Sequence, residues 1–328
     1  MGFFSRKEAS EVDVSGFRLD QAWLDDDLDA AYSAVRQGDL STGLALLKVT
    51  PANTNLRSIR ATGLAKAAVG RSEQLEMRLE AYPKDPDLLL WFGQTLVLEA
   101  WGVRTGQWAK DVSAQRFAMF HDILRTAAEV LQGAIVSAAD DSVPWEVLQW
   151  AALGLQAELE DKAEIFHAAL VRHPGSYAAH TGRVQVLANK WSGLGVEQLI
   201  DFGDGVVSRA RSGSVLCSIA ANVFNEVWLE IASDKDLPRD DRMKRYASRV
   251  TARRTDLLTA RAKWNDARTP DPADVAANGA MAFALKWANA KPEAMEHACR
   301  TEGRIESVPW GYVGGVAGFG EALKRQMD

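Results

Sequence analysis

Three of the chain's five histidines, His167, His173 and His180, fall within the fourteen residues 167–180 of EIFHAALVRHPGSYAAH. Grouped imidazoles suggest zinc chemistry. A zinc centre takes four tetrahedral ligands, and a Cys, Asp or Glu usually completes a small histidine set. Two antiparallel helices would bring His167 and His180 together, with Glu160 or Glu164 nearby. Against this, no HExxH or comparable ligand pair occurs. His173, directly before Pro174, suits a helix C-terminus, where a donor or cationic side chain faces the last carbonyls. The spacing therefore favours a turn between two stacked helices, and no structural metal is expected.

Other catalytic patterns are missing in the same way. There is no GxSxG elbow, no supported Cys–His pair and no histidine–carboxylate motif. The two cysteines, Cys217 and Cys299, lack CxxC spacing and lie in alanine-rich helical text, which predicts buried free thiols in a reducing compartment. The tail PWGYVGGVAGFGEALKRQMD carries Gly311, Gly314, Gly315, Gly318 and Gly320. It lacks the Lys-Ser/Thr end of a phosphate loop and follows no predicted strand, so no cofactor is expected. Carboxylates are numerous but scattered, which leaves an enzyme open without indicating one.

Two residue classes suggest recognition instead. Residues 235–268 hold eleven Lys or Arg against five Asp, a local +6 on a chain of net charge -6. Arg242, Arg245, Arg249 and Arg253 are three or four apart and should share one helical face, with Met243, Tyr246, Val250, Leu257 and Trp264 opposite. Such a strip binds acidic protein or phosphates, or it pairs internally with the acidic Asp25–Asp29 region. Eleven tryptophans are also a high count. Most should fill gaps between helices. Trp108, among Gly106, Gln107 and Lys110, is the candidate for an exposed contact.

Positioning these residues falls almost entirely to helices. The chain has 328 residues, 47% hydrophobic and 25% charged, the profile of a folded protein with an ample core. The acidic balance argues against non-specific affinity for nucleic acid, and no sequence-specific nucleic-acid binding is expected. No run of about 18 apolar residues and no secretory h-region is apparent, so neither integral membrane contact nor export is expected, and the location is taken as cytoplasmic. Position six is Arg6, which breaks the myristoylation pattern. Helical periodicity predicts segments near 25–37, 40–48, 54–69, 72–81, 86–104, 114–138, 145–157, 160–172, 176–189, 194–210, 215–232 and a long one over 240–266. Three shorter ones should follow, opening at TPDPADV, at Pro292 and near Trp310. LLLWFGQTLVLEAWG is apolar nearly all round and should be a buried helix. Strand-like alternation is almost absent.

Two stretches can be superposed: EQLEMRLEAYPKDPDLLLWFGQTLVLEAWG and KAEIFHAALVRHPGSYAAHTGRVQVLANKWSG. Each has a helix, a proline-containing turn, a second helix and a Trp-Gly or Trp-Ser-Gly end. Helix pairs of this kind cannot bury an apolar face alone and must stack. With AWGVR at 100–104 and KWSGLGVEQLIDF at 190–202, the stretch 38–203 resembles an uncharacterised group of bacterial proteins with a tetratricopeptide-like domain of unknown function. The resemblance implies a helical-array fold and brings no activity with it.

The expectation is an all-α protein with an irregular tetratricopeptide-like array of antiparallel helix pairs, an α-solenoid. A flexible N-terminus would occupy 1–19, the array 20–232, and a C-terminal helical region packed on it 233–328. The leading functional expectation is a non-catalytic scaffold holding a protein or peptide partner on a concave surface. The alternative is an enzyme or small-molecule binder with a pocket between the array and the C-terminal helices.

Overall fold

The computed structural model describes residues 16–104, 113–234 and 238–324. Among these the chain is all-α apart from one parallel two-residue ladder, Arg18 against Arg304 and Leu19 against Ile305. It divides into two compact units. The first comprises Leu24–Leu199 with Asp271–Ala273; the second comprises the residues up to Trp23, Ile200–Pro270 and those from Asp274 onward. Residues 20–232 thus contribute to both units.

The first unit contains α1 (Asp26–Arg36), α2 (Leu40–Val49), α3 (Asn55–Ala68), α4 (Ser72–Ala81), α5 (Pro86–Arg104), α6 (Ala114–Ser137), α7 (Val143–Gly154), α8 (Leu159–Arg172), α9 (Tyr177–Leu187) and the single turn α10 (Asn189–Ser192). Local chemistry sets many of the starts. The side chains of Asp25, Asp39, Thr54, Ser113 and Ser176 accept from backbone N–H groups in the first turns of α1, α2, α3, α6 and α9, satisfying donors that the helix leaves open. Asp26, Asp27 and Asp29 add negative charge at the start of α1, where the helix dipole favours it.

Consecutive helices pack as neighbours: α4 on α5, α5 on α6, α6 on α7, α7 on α8 and α8 on α9. Alternate helices also touch, α1 with α3, α3 with α5, α5 with α7 and α7 with α9. α5 is buried on every side through Leu88, Leu89, Leu90, Trp91, Phe92 and Leu96, as its unbroken apolar text predicted. Each such side chain contributes about 1.5–3 kcal/mol of burial, so α5 is the spine of this unit. Gly63 of α3 permits the close approach of α1, since a Cβ there would lie 2.9 Å from the Leu28 side chain.

α11 (Val196–Arg209) crosses the division between the units. The second unit continues with a 3-10 turn (Val215–Ser218), α12 (Ile219–Ser233), α13 (Arg239–Arg245), a π-helical turn (Tyr246–Thr251), α14 (Arg254–Asn265), α15 (Asp274–Trp287), α16 (Lys291–Cys299), α17 (Ser307–Trp310) and α18 (Val316–Lys324). Its core is a chain of edge-to-face rings. Centroid separations are 5.0 Å for Trp228–Phe283, 5.2 Å for Phe283–Trp310, 4.8 Å for Trp310–Phe319 and 5.6 Å for Phe319–Phe17. Against the expectation of no such apolar run, Val215–Ser233 is long and apolar enough by composition to cross a bilayer, and 67% of an 18-residue stretch of it is buried inside the fold.

The single long helix expected over 240–266 is not formed. α13 gives way to a π turn, in which Val250 is fully buried and Tyr246 Oη donates to the Trp287 carbonyl. A π turn uses more residues per revolution than an α turn, so it rotates everything after Tyr246 relative to α13.

Candidate functional site

The C-terminal turn of α5 carries Trp101 and Arg104, three residues apart and therefore on one face. Around Trp101 stand Phe120 of α6 at 5.2 Å, Trp191 of α10 at 5.6 Å and Trp150 of α7 at 6.3 Å, all close to perpendicular. Phe117 and His121 of α6 extend the cluster, their rings 4.6 Å apart. Perpendicular packing sets the positive ring edges against the negative faces and so adds to plain burial. Phe120 is buried, whereas Trp101, Phe117, His121, Trp150 and Trp191 remain partly exposed.

The Arg104 guanidinium lies over this cluster, 4.6 Å from the Trp191 ring centroid, 5.3 Å from Trp101 and 5.9 Å from Phe120. Among the described residues no carboxylate pairs with it, and burial alone holds its pKa below the ordinary arginine value. Cation–π attraction offsets part of that desolvation. The buried indole nitrogens of Trp101 and Trp191 and Nε2 of His121 have no hydrogen-bond partner among the described residues. The result is a half-open aromatic surface with one stacked cation and several unused donors, a composition typical of recognition anchors.

A second concentration of polar groups gathers residues from the first turns of α3, α5, α7 and α9. Arg57 bridges Asp87 at 2.7 Å and Asp141 at 2.6 Å. Asn55 donates to Asp271 at 3.0 Å and accepts from the Tyr177 N–H at 2.9 Å. At the centre Glu146 accepts from the hydroxyls of Ser58 at 2.5 Å, Ser176 at 2.7 Å and Ser142 at 3.1 Å. Burial pushes the Glu146 carboxyl above the usual carboxylate range, the three serine donors pulling the other way. A buried carboxylate can serve as a general base only if substrate reaches it. Glu146 is 3% exposed, with both oxygens occupied. This network fastens helix ends rather than presenting a reactive group.

In the second unit His297 is fully buried. Trp264 stacks on its ring at 5.4 Å, Arg261 Nε donates to Nε2 at 3.2 Å, and Nδ1 lies 2.7 Å from Asn278 Oδ1. Because the arginine can only donate, Nε2 must accept and Nδ1 carries the proton. Burial, with Arg300, Arg261 and Arg268 nearby, depresses its pKa to about 2. It is a neutral core histidine.

The histidines of 164–180 take three different settings. His167 is exposed on α8, His173 closes that helix, and His180 is buried on α9 with Nδ1 2.6 Å from the Ser176 carbonyl. Among the described residues no group of three or more His, Cys, Asp or Glu is placed to hold a metal ion. Trp108 lies outside the described residues. Cys217 is buried as expected, but Cys299 is exposed. Of the arginine strip, Arg245 is exposed and 3.4 Å from Asp234, while Arg253 lies 2.5 Å from Asp204 and 3.6 Å from Asp256. Arg242 and Arg249 are half-buried. Asp25 and Asp27 are held by Arg60, at 2.7 and 3.1 Å. Arg253 lines a cleft of about 250 Å³ with Asp204, Ser208, Phe224, Asp256 and Leu257, smaller than the roughly 300–1,000 Å³ of typical ligand pockets.

No family model, no curated protein and no solved structure matches this chain.

Glu146 and Arg104 escaped sequence reasoning for different reasons. Glu146 sits four residues, about one helical turn, after Ser142, but Ser58 and Ser176 come from distant helices. Arg104 was legible as the end of AWGVR; its stacking on Trp191, 87 positions later in the chain, was not.

Proposed function

We propose that this chain is a non-catalytic interaction scaffold of the cytoplasm, built as an irregular tetratricopeptide-like solenoid and related to the bacterial helical-repeat group it resembles. The alternate-helix packing from α1 through α9 supports the array reading, because stacked helix pairs bring every second helix into contact. One observation carries the binding reading: Arg104 lies over Trp101 and Trp191 with no carboxylate partner among the described residues. A partly exposed aromatic surface offers apolar contact, and its single cation asks for a negative group. The partner is accordingly a protein segment that combines an acidic side chain with an apolar or aromatic one.

The test is selection from a displayed peptide library, followed by affinity measurement on the enriched sequences. Enriched peptides should be acidic and aromatic. Arg104→Gln should weaken them at least about tenfold, as loss of a charge-assisted contact does, while Arg245→Gln should leave them unchanged. Enrichment without acidic residues, or equal affinity for Arg104→Gln, defeats the reading.

A further inference from the structure

A cation removed from water is costly unless an anion pairs with it. The hairpin of α8 and α9 holds two cations for which no such partner exists among the described residues. Lys162, in the first turn of α8, is only 7% exposed and has neither an ion pair nor a hydrogen bond there. Arg183 of α9 has its Nη1 buried without an acceptor, its guanidinium 5.7 Å from the centroid of the Phe166 ring. Phe166 is one turn beyond Lys162 on α8, so the two share a face. Arg183, lying over Phe166, is therefore on the same side of the hairpin as Lys162.

The two charges sense one another. Burial holds the Lys162 ammonium below its ordinary pKa; Glu158 acts in the opposite direction, and Arg183, the smallest of the three influences, adds to the lowering. Glu158 is exposed and forms no ion pair with Lys162. Arg183 is likewise depressed by burial. Two like charges drawn inward together, with Glu158 acting only at a distance and no ion-paired carboxylate among the described residues, form an arrangement that an external anion would complete.

We infer that Lys162 and Arg183 form a binding site for a small oxyanion of the phosphate class. A guanidinium fork fits the O–X–O edge of such an ion in two parallel hydrogen bonds, and an ammonium adds a compact point charge. Two cations match a dianion better than a single carboxylate. The Phe166 face walls one side and keeps the local dielectric low, which strengthens both contacts. This inference concerns α8 and α9 and is independent of the peptide surface at Arg104.

The experiment titrates sodium phosphate into the full chain at about pH 7.5, where the dianion dominates because its second pKa is about 6. Sodium chloride holds ionic strength constant, since diffuse screening would otherwise imitate binding. Calorimetry should show a saturable single site, and the melting temperature should climb with the logarithm of phosphate concentration above Kd. Sulfate should substitute. Lys162→Met and Arg183→Gln should each weaken phosphate at least about tenfold. Without phosphate, Lys162→Met should melt no lower than the parent, because it removes an uncompensated buried charge. Three results overturn the proposal: no saturable heat beyond the chloride control, undiminished affinity in both variants, or a phosphate-free Lys162→Met protein that melts well below the parent.

Discussion

Arg57 Nε lies 2.6 Å from an Asp141 carboxylate oxygen, across 84 positions of sequence, and ties the start of α3 to the residue preceding the N-cap of α7. The same guanidinium reaches Asp87 at 2.7 Å and the Leu47 carbonyl at 3.0 Å. Asp87 stands in the first turn of α5, and Asp141 in turn accepts from the Val143 N–H that opens α7. One buried cation thus organises several helix ends.

Replacing Arg57 with Met should therefore be severe. The change strands Asp141, itself 3% exposed, as an unpaired buried carboxylate. Breaking one side of a buried pair costs about 3–5 kcal/mol. Urea denaturation should show a loss of that size. A loss below about 1 kcal/mol, the ordinary value of an exposed pair, would mean that the cluster is solvated in solution.

Glu146 sets a pH dependence. Burial raises its folded pKa above the ordinary 4.5. The folded state then holds a proton that the unfolded chain releases, so this contribution is intact below 4.5 and declines as pH rises through the folded value. Glu146→Gln cannot ionise. Its stability relative to the parent should therefore improve as pH rises above about 4.5 and level off once the folded pKa is passed, measured as the difference in unfolding free energy. A difference constant with pH would show that the serines hold Glu146 ionised.

His297 works in the opposite direction. Its folded pKa of about 2 lies far below the ordinary 6.5, so the unfolded chain takes up a proton that the fold refuses. The stability it supplies is present above 6.5 and is lost as pH falls toward 2, with a limiting slope of about 1.4 kcal/mol per pH unit. His297→Gln should remove that slope between about pH 6 and 4. Nitrogen chemical shifts should also report a neutral, Nδ1-protonated ring at pH 5; an imidazolium signal there would refute the assignment.

Gly213 should resist substitution for two separate reasons. Its φ is +83°, where a Cβ is strained, and a Cβ there would sit 2.2 Å from the Ala267 carbonyl oxygen. Its own N–H donates to the Lys263 carbonyl at 2.9 Å, so the loop cannot swing away freely. Gly213→Ala should cost about 1–3 kcal/mol. Asn tolerates positive φ better than Ala but meets the same carbonyl, so Gly213→Asn should rescue little. Recovery with Asn would show that φ alone matters.

The sequence by itself determined the helices. Helices formed at the expected segments 114–138 and 160–172 as α6 and α8, and the apolar text of 86–104 became the buried α5. Periodicity and capping act over a few residues, so a linear reading captures them. Tertiary structure decided which residues of different helices meet. Ser58, Ser142 and Ser176 converge on Glu146 although up to 118 positions separate them. Arg104 found Trp191, and His167, His173 and His180 took an exposed, a helix-closing and a buried setting although the chain places them together. The arginine strip shows the same limit inside one segment. Arg242 through Arg253 kept helical spacing, but a π turn at Tyr246–Thr251 rotated the later members, and Arg253 turned to Asp204. The energy that favours that turn comes from burying Val250 and bonding Tyr246 to Trp287, contacts with distant parts of the chain that no local propensity encodes.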